Sequence, residues 1–471
     1  MFVAGEWRGA ATVLPVLHPF DGHMVDTVPA ASLDDVEQAL AAAVQGASTM
    51  AATPAHERCR MLLRAADLLE SRVEEMARTI SAEEGKPLAE ARGEATRCGD
   101  LIRLAAFEGS QVRGETLPLD ASSNGVGKLG MTLRAPCGVV VAISPFNYPL
   151  MLVLHKVAPA IAAGNAVILK PATQTPLTAL KMTEILLEAG VPALGLQTLT
   201  GEGSIIGPAL CADRRVRKVS FTGSSEVGRV IAAVAGVKKL SLELGSNCPL
   251  VVLPDADLDQ VADATATSGY INAGQVCIST QRVLADRAIY ADLLDALTPR
   301  VASLRTGDPF ADDTQLSAMI SPAEAQRVTE WVDEAVDGGA RLLTGGERIG
   351  GLLAPTLLAD VAPTMRVSCQ ELFGPAVAVT PVSGIDEALR VANDSEYGLG
   401  SGIFTRSVDA ALAFARAAQF GTVNINSTPL WRADLMPYGG LKQSGIGKEG
   451  PRYAVEEMTE SKTVIFHEQR S

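Results

Sequence analysis

The chain has 471 residues, 47% of them hydrophobic, 20% charged and 4% aromatic, with a formal net charge of −14 at neutral pH. This composition excludes a disordered chain and supplies enough apolar surface for about two or three cores of ordinary domain size. The acidic balance argues against a nucleic-acid partner, which needs clustered Lys and Arg, and leaves open a small basic pocket within an acidic surface.

The N-terminus, Met1-Phe2-Val3-Ala4-Gly5-Glu6-Trp7, has neither the basic start nor the long apolar run of a secretion signal. Apolar stretches such as 139–143 and 157–163 are too short to cross a bilayer, so no membrane partner and a cytoplasmic location are expected. Ser32 with Asp34 and Asp35 predicts a capped helix bearing Val36, Leu40 and Val44 on one face. Helical spacing continues over 60–80 and 90–106. From Gly138 the pattern changes to short β-rich runs (139–143, 166–170, 197–200, 218–222 and 239–244) separated by helical stretches such as 154–163 and 179–189. Continuous apolar strands alternating with helices predict a parallel, doubly wound α/β sheet. A second such run, with strands at 250–253, 281–285, 376–380 and 423–426, predicts a second α/β domain. The segments 126–134 and 462–467 fit neither domain, and strands of this kind must pair with something, another subunit included.

Seven cysteines lie scattered without a Cys-x-x-Cys pair, which fits free thiols in a reducing compartment. The five histidines have no ligand spacing, so no metal is expected. Three short segments carry the chemistry. Cys277 lies in Ala273-Gly274-Gln275-Val276-Cys277, where a thiolate can add to an electrophilic carbon. Glu243 ends an apolar strand before Leu244-Gly245, where burial raises a carboxyl towards a base's working range. Ser144-Pro145-Phe146-Asn147-Tyr148-Pro149 offers an amide able to steady an oxyanion. The glycines of Gly201-Glu202-Gly203-Ser204-Ile205-Ile206-Gly207 fit a structural turn better than a dinucleotide fingerprint. Phe221-Thr222-Gly223-Ser224, with Gly228 following, fits either a phosphate site at a helix start or a capped helix with a packing glycine.

Taken together and in this order, these segments resemble the aldehyde dehydrogenase superfamily over nearly the whole chain. The resemblance implies a Rossmann-like dinucleotide-binding domain, a second α/β catalytic domain and a small β element for oligomerisation. The expected boundaries are 1–117 with 137–245 for the first, 246–443 for the second, and 118–136 with 459–471 for the third. It implies NAD or NADP as cofactor, held by Ser144, Pro145, Phe146, Lys170, Ala172, Thr173, Gly203, Gly207, Phe221, Thr222, Gly223, Ser224, Gly228, Leu244, Glu371 and Phe373. Family members that prefer NAD carry Glu where this chain has Thr173, so NADP use is expected to be open here. The roles implied are nucleophile for Cys277, hydrolytic base for Glu243 and oxyanion donor for Asn147. Acylating relatives that use CoA lack the glutamate, so its presence favours hydrolysis to the free acid. Ser246-Asn247 depart from the family's Gly-Lys at that place. The segment Met436-Pro437-Tyr438-Gly439-Gly440 is expected to be scaffold near the site.

Leu430-Trp431-Arg432-Ala433-Asp434 and Tyr453-Ala454-Val455-Glu456-Glu457-Met458 resemble the branch of lactaldehyde, phosphonoacetaldehyde and non-phosphorylating glyceraldehyde-3-phosphate dehydrogenases. A small polar aldehyde, several examples being anionic, is therefore the expected substrate, with Arg103, His155 and Arg432 as candidate contacts. A homodimer or homotetramer is expected from the family. A thiol hydrolase without a redox cofactor, or a non-catalytic protein on the same scaffold, are the alternatives from other classes.

Overall fold

A computed structural model describes residues 1–467. Its largest sheet has eight strands in the order Glu6–Trp7, Phe2–Val3, Leu196–Thr198, Ala166–Lys170, Val139–Ile143, Val216–Thr222, Lys239–Glu243 and Gly445–Ile446. The five central strands are parallel. They are apolar because helices cover both faces, and all five residues of Val139–Ile143 and of Ala166–Lys170 are buried. The strand order reverses at Val139–Ile143, which lies between Ala166–Lys170 and Val216–Thr222. Such a reversal opens a crevice beyond the carboxyl ends of the two diverging strands.

The second sheet has seven strands: Arg341–Thr344, Thr356–Ala359, Ala376–Val382, Arg282–Asp286, Pro249–Val252, Gly400–Phe404 and Thr422–Ile425. Only its Arg341–Thr344 edge is antiparallel. The strand Gly400–Phe404 escaped the sequence pattern because two of its five residues are glycine, and Gly402 is required by packing. A Cβ there would stand 2.4 Å from the Ser427 carbonyl oxygen.

The two segments that fit neither sheet pair with each other. Lys128–Pro136 runs antiparallel to Thr459–His467 from Pro136↔Thr459 to Lys128↔His467, with Thr116–Leu117 on its outer side. Their partner is thus found within the chain, and residues 468–471 of the expected tail lie outside the described residues. The sheet still leaves Leu129, Leu133, Ile465 and Phe466 about half exposed.

Around the first sheet the helical N-terminal region is as patterned, with two differences. Ser32 caps Leu33–Ala52 through a reciprocal capping box with Asp35. The 60–80 stretch is two helices, Ala55–Glu70 and Val73–Glu84, broken where Arg72 leaves helical geometry. Two short hairpins, absent from the sequence reading, precede them: Phe2–Val3 with Glu6–Trp7, and Val13–Leu17 with Met24–Pro29. The helix Met151–Ala162 is buried along its entire length. Because it carries His155 and Lys156, their polar groups must be satisfied inside the protein. Among the described residues, no helix is long and apolar enough to cross a membrane.

Candidate active site

The crevice at the strand reversal is a cavity of about 650 Å³ that extends from Lys170 and Thr173 to Asn147, Glu243 and Cys277. Its floor comes from residues that follow the two diverging strands: Ser144, Pro145, Phe146 and Asn147 after Ile143, and Gly223 and Ser224 after Thr222. The second domain closes it with Gln275, Cys277, Glu371 and Phe373.

Cys277 is delivered by a strained turn. Asn272 and Ala273 have φ of 50° and 53°, and Gly274 follows at 69°. Successive left-handed residues are costly, and such strain persists only where the surroundings impose it. Gly274 is obligatory, since a Cβ would lie 2.0 Å from the Gly374 carbonyl oxygen. The Cys277 thiol is pushed up to about 12 by burial, against the opposing hydrogen bond from Tyr438. It therefore rests as a thiol at neutral pH.

Asn147 is held from its backbone. Its carbonyl oxygen accepts from Lys86 Nζ at 2.6 Å and from Asn272 Nδ2 at 3.1 Å. Its side-chain Nδ2 donates to the Gln275 carbonyl at 2.8 Å, which leaves its second N–H for another acceptor. Lys86 is buried, with Nζ 2.8 Å from Glu94 Oε2, and Glu94 Oε1 accepts from the N–H groups of Leu150 and Met151. A buried ion pair thus fixes the loop that carries the amide.

Glu243 is buried, and neither carboxylate oxygen has a hydrogen-bond partner. Burial, then the nearby charge of Glu449, hold its carboxyl well above the usual range. Glu449 goes the opposite way, down to about 2: burial pushes it up, but Lys156, then His155 and Arg432, together outweigh that. Lys156 Nζ lies 2.8 Å from Glu449 Oε1 and 2.6 Å from Thr222 Oγ1. Two buried carboxyls are thereby driven apart, one ionised and one poised to take or hold a proton.

The expected dinucleotide fits this cavity. All the sequence-selected cofactor residues line it except Gly228. Lys170 is buried with its ammonium turned to the cavity, and burial lowers it to about 8. A Cβ on Gly203 would stand 3.5 Å from Lys170 Nζ, and one on Gly207 would meet nothing within 4 Å, so this side stays open to a ligand. Both glycines open or lie in the helix Gly203–Ala212, although the spacing had favoured a mere turn. Ser224 caps Ser225–Ala235 by accepting from Val227 N, which turns that helix start to the cavity. Ser144 Oγ is buried without a partner. Glu371 is raised to about 7 by burial, and its Oε1 accepts from Ser246 N. Gly228 has a different job: a Cβ there would lie 2.5 Å from Leu244, so it lets the helix pack against that residue.

The three candidate substrate contacts separate. Arg103 stands at the surface, where it forks onto Asp67 and Glu70, and it does not line the cavity. Arg432 and His155 do not line it either, but they lie together and reach Cys277 through Tyr438. Arg432 Nη2 is 3.2 Å from His155 Nε2, and its guanidinium stacks 3.7 Å from the Tyr438 ring centre. Tyr438 in turn places its hydroxyl 3.1 Å from Cys277 Sγ. Sequence reasoning missed Lys86, Lys156 and Glu449 as part of this assembly and treated the Tyr438 segment as scaffold. The available signal was a lysine, Lys156, inside an otherwise apolar helix. Among the described residues no group of three or more His, Cys, Asp or Glu is placed to hold a metal ion.

The family model described as the aldehyde dehydrogenase family matches residues 7–464. A 3-sulfolactaldehyde dehydrogenase of Priestia megaterium is 42% identical over 467 residues, covering 99% of this chain and 98% of its own. A glyceraldehyde-3-phosphate dehydrogenase of Methanocaldococcus jannaschii, solved with NADP, is 36% identical with a TM-score of 0.93, over 97% of this chain and 99% of its own. Aldehyde dehydrogenase 21 of Physcomitrella patens, solved with the reaction product succinate, is 38% identical with a TM-score of 0.96, over 99% and 98%. With a crevice at the strand reversal leading to a half-buried cysteine, a buried glutamate and a buried amide, and with these likenesses over nearly its whole length, the chain belongs to the aldehyde dehydrogenase family.

Proposed function

We propose that this enzyme oxidises a small anionic aldehyde to its carboxylic acid, with Cys277 as nucleophile, Asn147 as oxyanion donor and Glu243 as hydrolytic base. The observation that carries the reading is a single cavity joining the dinucleotide cradle to all three side chains. Lys170, Ser224 and Glu371 would hold NAD or NADP in that cradle, and the bound dinucleotide would supply the hydride acceptor. Cys277 loses its proton to solvent through the cavity, its Sγ adds to the aldehyde carbon as the carbonyl π pair moves onto oxygen, and the free N–H of the Asn147 amide with the Cys277 backbone N–H stabilises the oxyanion. Loss of hydride from that carbon leaves a thioester on Cys277. Glu243 then takes a proton from water, and its raised pKa makes it a stronger base than an exposed glutamate once ionised.

Arg432 supports an anionic substrate. Its guanidinium is largely buried beside Tyr438, and its Nε has no hydrogen-bond partner. A carboxylate, sulfonate or phosphonate at the far end of a short aldehyde would satisfy that group. Thr173 supports NADP: its hydroxyl accepts from Lys170 Nζ at 3.4 Å and donates to the Gly201 carbonyl, with no carboxylate beside it to repel a 2′-phosphate. The exposed apolar face of the Lys128–Pro136 and Thr459–His467 sheet supports a closed homodimer or homotetramer. Seven free thiols support a cytoplasmic location.

The test is reduced-cofactor absorbance with both dinucleotides and a panel pairing anionic aldehydes with neutral isosteres. We expect the anionic member of each pair to have the higher kcat/KM, and Arg432→Met to erase that difference. Equal efficiency for neutral isosteres would reject the anionic assignment.

A further inference from the structure

Tyr438 has no role in the reaction as described so far, yet its hydroxyl is the polar side-chain group in contact with the reacting sulfur, at 3.1 Å. It is 3% exposed, and its backbone is fixed by reciprocal hydrogen bonds with Glu449, at 3.1 Å and 2.7 Å. The ring is pressed under the Arg432 guanidinium at 3.7 Å, a cation over the aromatic face that draws on its electrons and strengthens the O–H as a donor. Arg432 is itself held near Glu449 Oε2, at 3.6 Å, and His155. The scaffold segment thus delivers one hydroxyl, backed by one buried cation, onto the nucleophile.

We propose that Tyr438 is a catalytic residue that donates its O–H to the Cys277 thiolate as it forms, with Arg432 positioning the ring. In the resting site the thiol carries its proton, and the sulfur and phenol oxygen share one hydrogen bond. When the thiol loses that proton to solvent, the phenol keeps its own and turns it to the sulfur, so the negative charge gains a donor. On addition to the aldehyde the sulfur's charge passes to the substrate oxygen, and the hydrogen bond to Tyr438 weakens as the oxyanion takes up its own donors. Tyr438 therefore raises the thiolate fraction at a given pH without competing for the oxyanion.

Other charges also reach these groups. Glu371 and Cys248 oppose ionisation of Cys277, and Arg432 favours it. Towards Tyr438, Glu243 opposes ionisation of the phenol and Arg432 favours it, but burial dominates and keeps the phenol protonated, as a donor must be. Removing the Tyr438 hydroxyl leaves all of these in place, so the phenol can be tested alone.

The test is alkylation of Cys277 by iodoacetamide across pH in the enzyme without substrate, with Cys277→Ala as the blank for the other thiols. Tyr438→Phe keeps the ring and its stacking. On the rising limb of the profile its alkylation rate is expected to fall about tenfold, a shift of about one pH unit. The Kd for NADP, read by calorimetry, should not change. A second substitution guards against a folding defect: a ring-fluorinated tyrosine at 438, a stronger donor of the same shape, should move the limb the other way. Unchanged limbs in both proteins, or a faster Tyr438→Phe, would overturn the proposal.

Discussion

Thr173 is the side chain that we propose distinguishes the two cofactors. With only a hydroxyl beside Lys170, the site has nothing to repel a 2′-phosphate. Thr173→Glu is expected to lower kcat/KM for NADP by about ten- to a hundredfold, equivalent to about 1–3 kcal/mol of unfavourable pairing, while NAD is spared. Equal NADP efficiency in both proteins would reject the assignment. A second single-residue effect concerns stability. Glu84 is buried and raised to about 8, with burial the main cause and Lys86 opposing it. A carboxyl whose folded value lies above its unfolded one contributes its stability at low pH and loses it as pH rises through the folded value. Glu84→Gln should therefore flatten the decline of Tm between about pH 5 and pH 8, measured by calorimetry. An unaltered slope would show that Glu83 and Glu90, each raised to about 7, carry that decline instead.

Elements position these side chains, and the turn Asn272-Ala273-Gly274 is the most demanding of them. Gly274→Ala must both hold a left-handed φ and push the Gly374 carbonyl away. Displacing Cys277 by even about 1 Å is expected to cost about a hundredfold in kcat/KM, with Tm falling as well. Wild-type turnover in that variant would show that the turn is not what places the sulfur. Local signals made much of this scale legible. Ser32 with Asp35 marks a helix start, and apolar runs such as Val139–Ile143 mark buried strands, because caps and periodicity act over a few residues. The segments around Asn147, Glu243 and Cys277 stood out because each carries its group within a short, patterned stretch. Gly400–Phe404 was hidden because Gly402 answers to the backbone carbonyl of Ser427, which is distant from it in the sequence. Lys156 with Glu449 was equally hidden, since the pair joins positions 293 residues apart and no local pattern encodes that distance. Arg103 illustrates the converse: an arginine on the helix Leu88–Ser110 finds its carboxylates one helix away and stays there.

At the scale of the whole molecule, the first sheet takes strands from Phe2 to Ile446, so segments near both ends of the chain complete one sheet. The three-stranded sheet stands apart, with Leu129 and its register partner Phe466 exposed on one face at 52% and 55%. An apolar sheet face of this kind calls for a cover, and the proposed cover is a second copy related by closed symmetry. Replacing both residues with Lys should turn the oligomer into smaller species at micromolar concentration, as read by light scattering. An unchanged mass would place the subunit contact elsewhere.

The central claim is that an acyl group is built on Cys277 and released by water that Glu243 activates. Intact-protein mass spectrometry of Glu243→Gln, sampled during a rapid-mixing reaction with aldehyde and cofactor, reads it directly. The account predicts a burst of about one reduced cofactor per subunit, an acyl adduct on Cys277 that persists, and steady turnover slower by about a hundredfold or more. Cys277→Ala should show neither burst nor adduct. Wild-type turnover in Glu243→Gln with no adduct on Cys277 would contradict it.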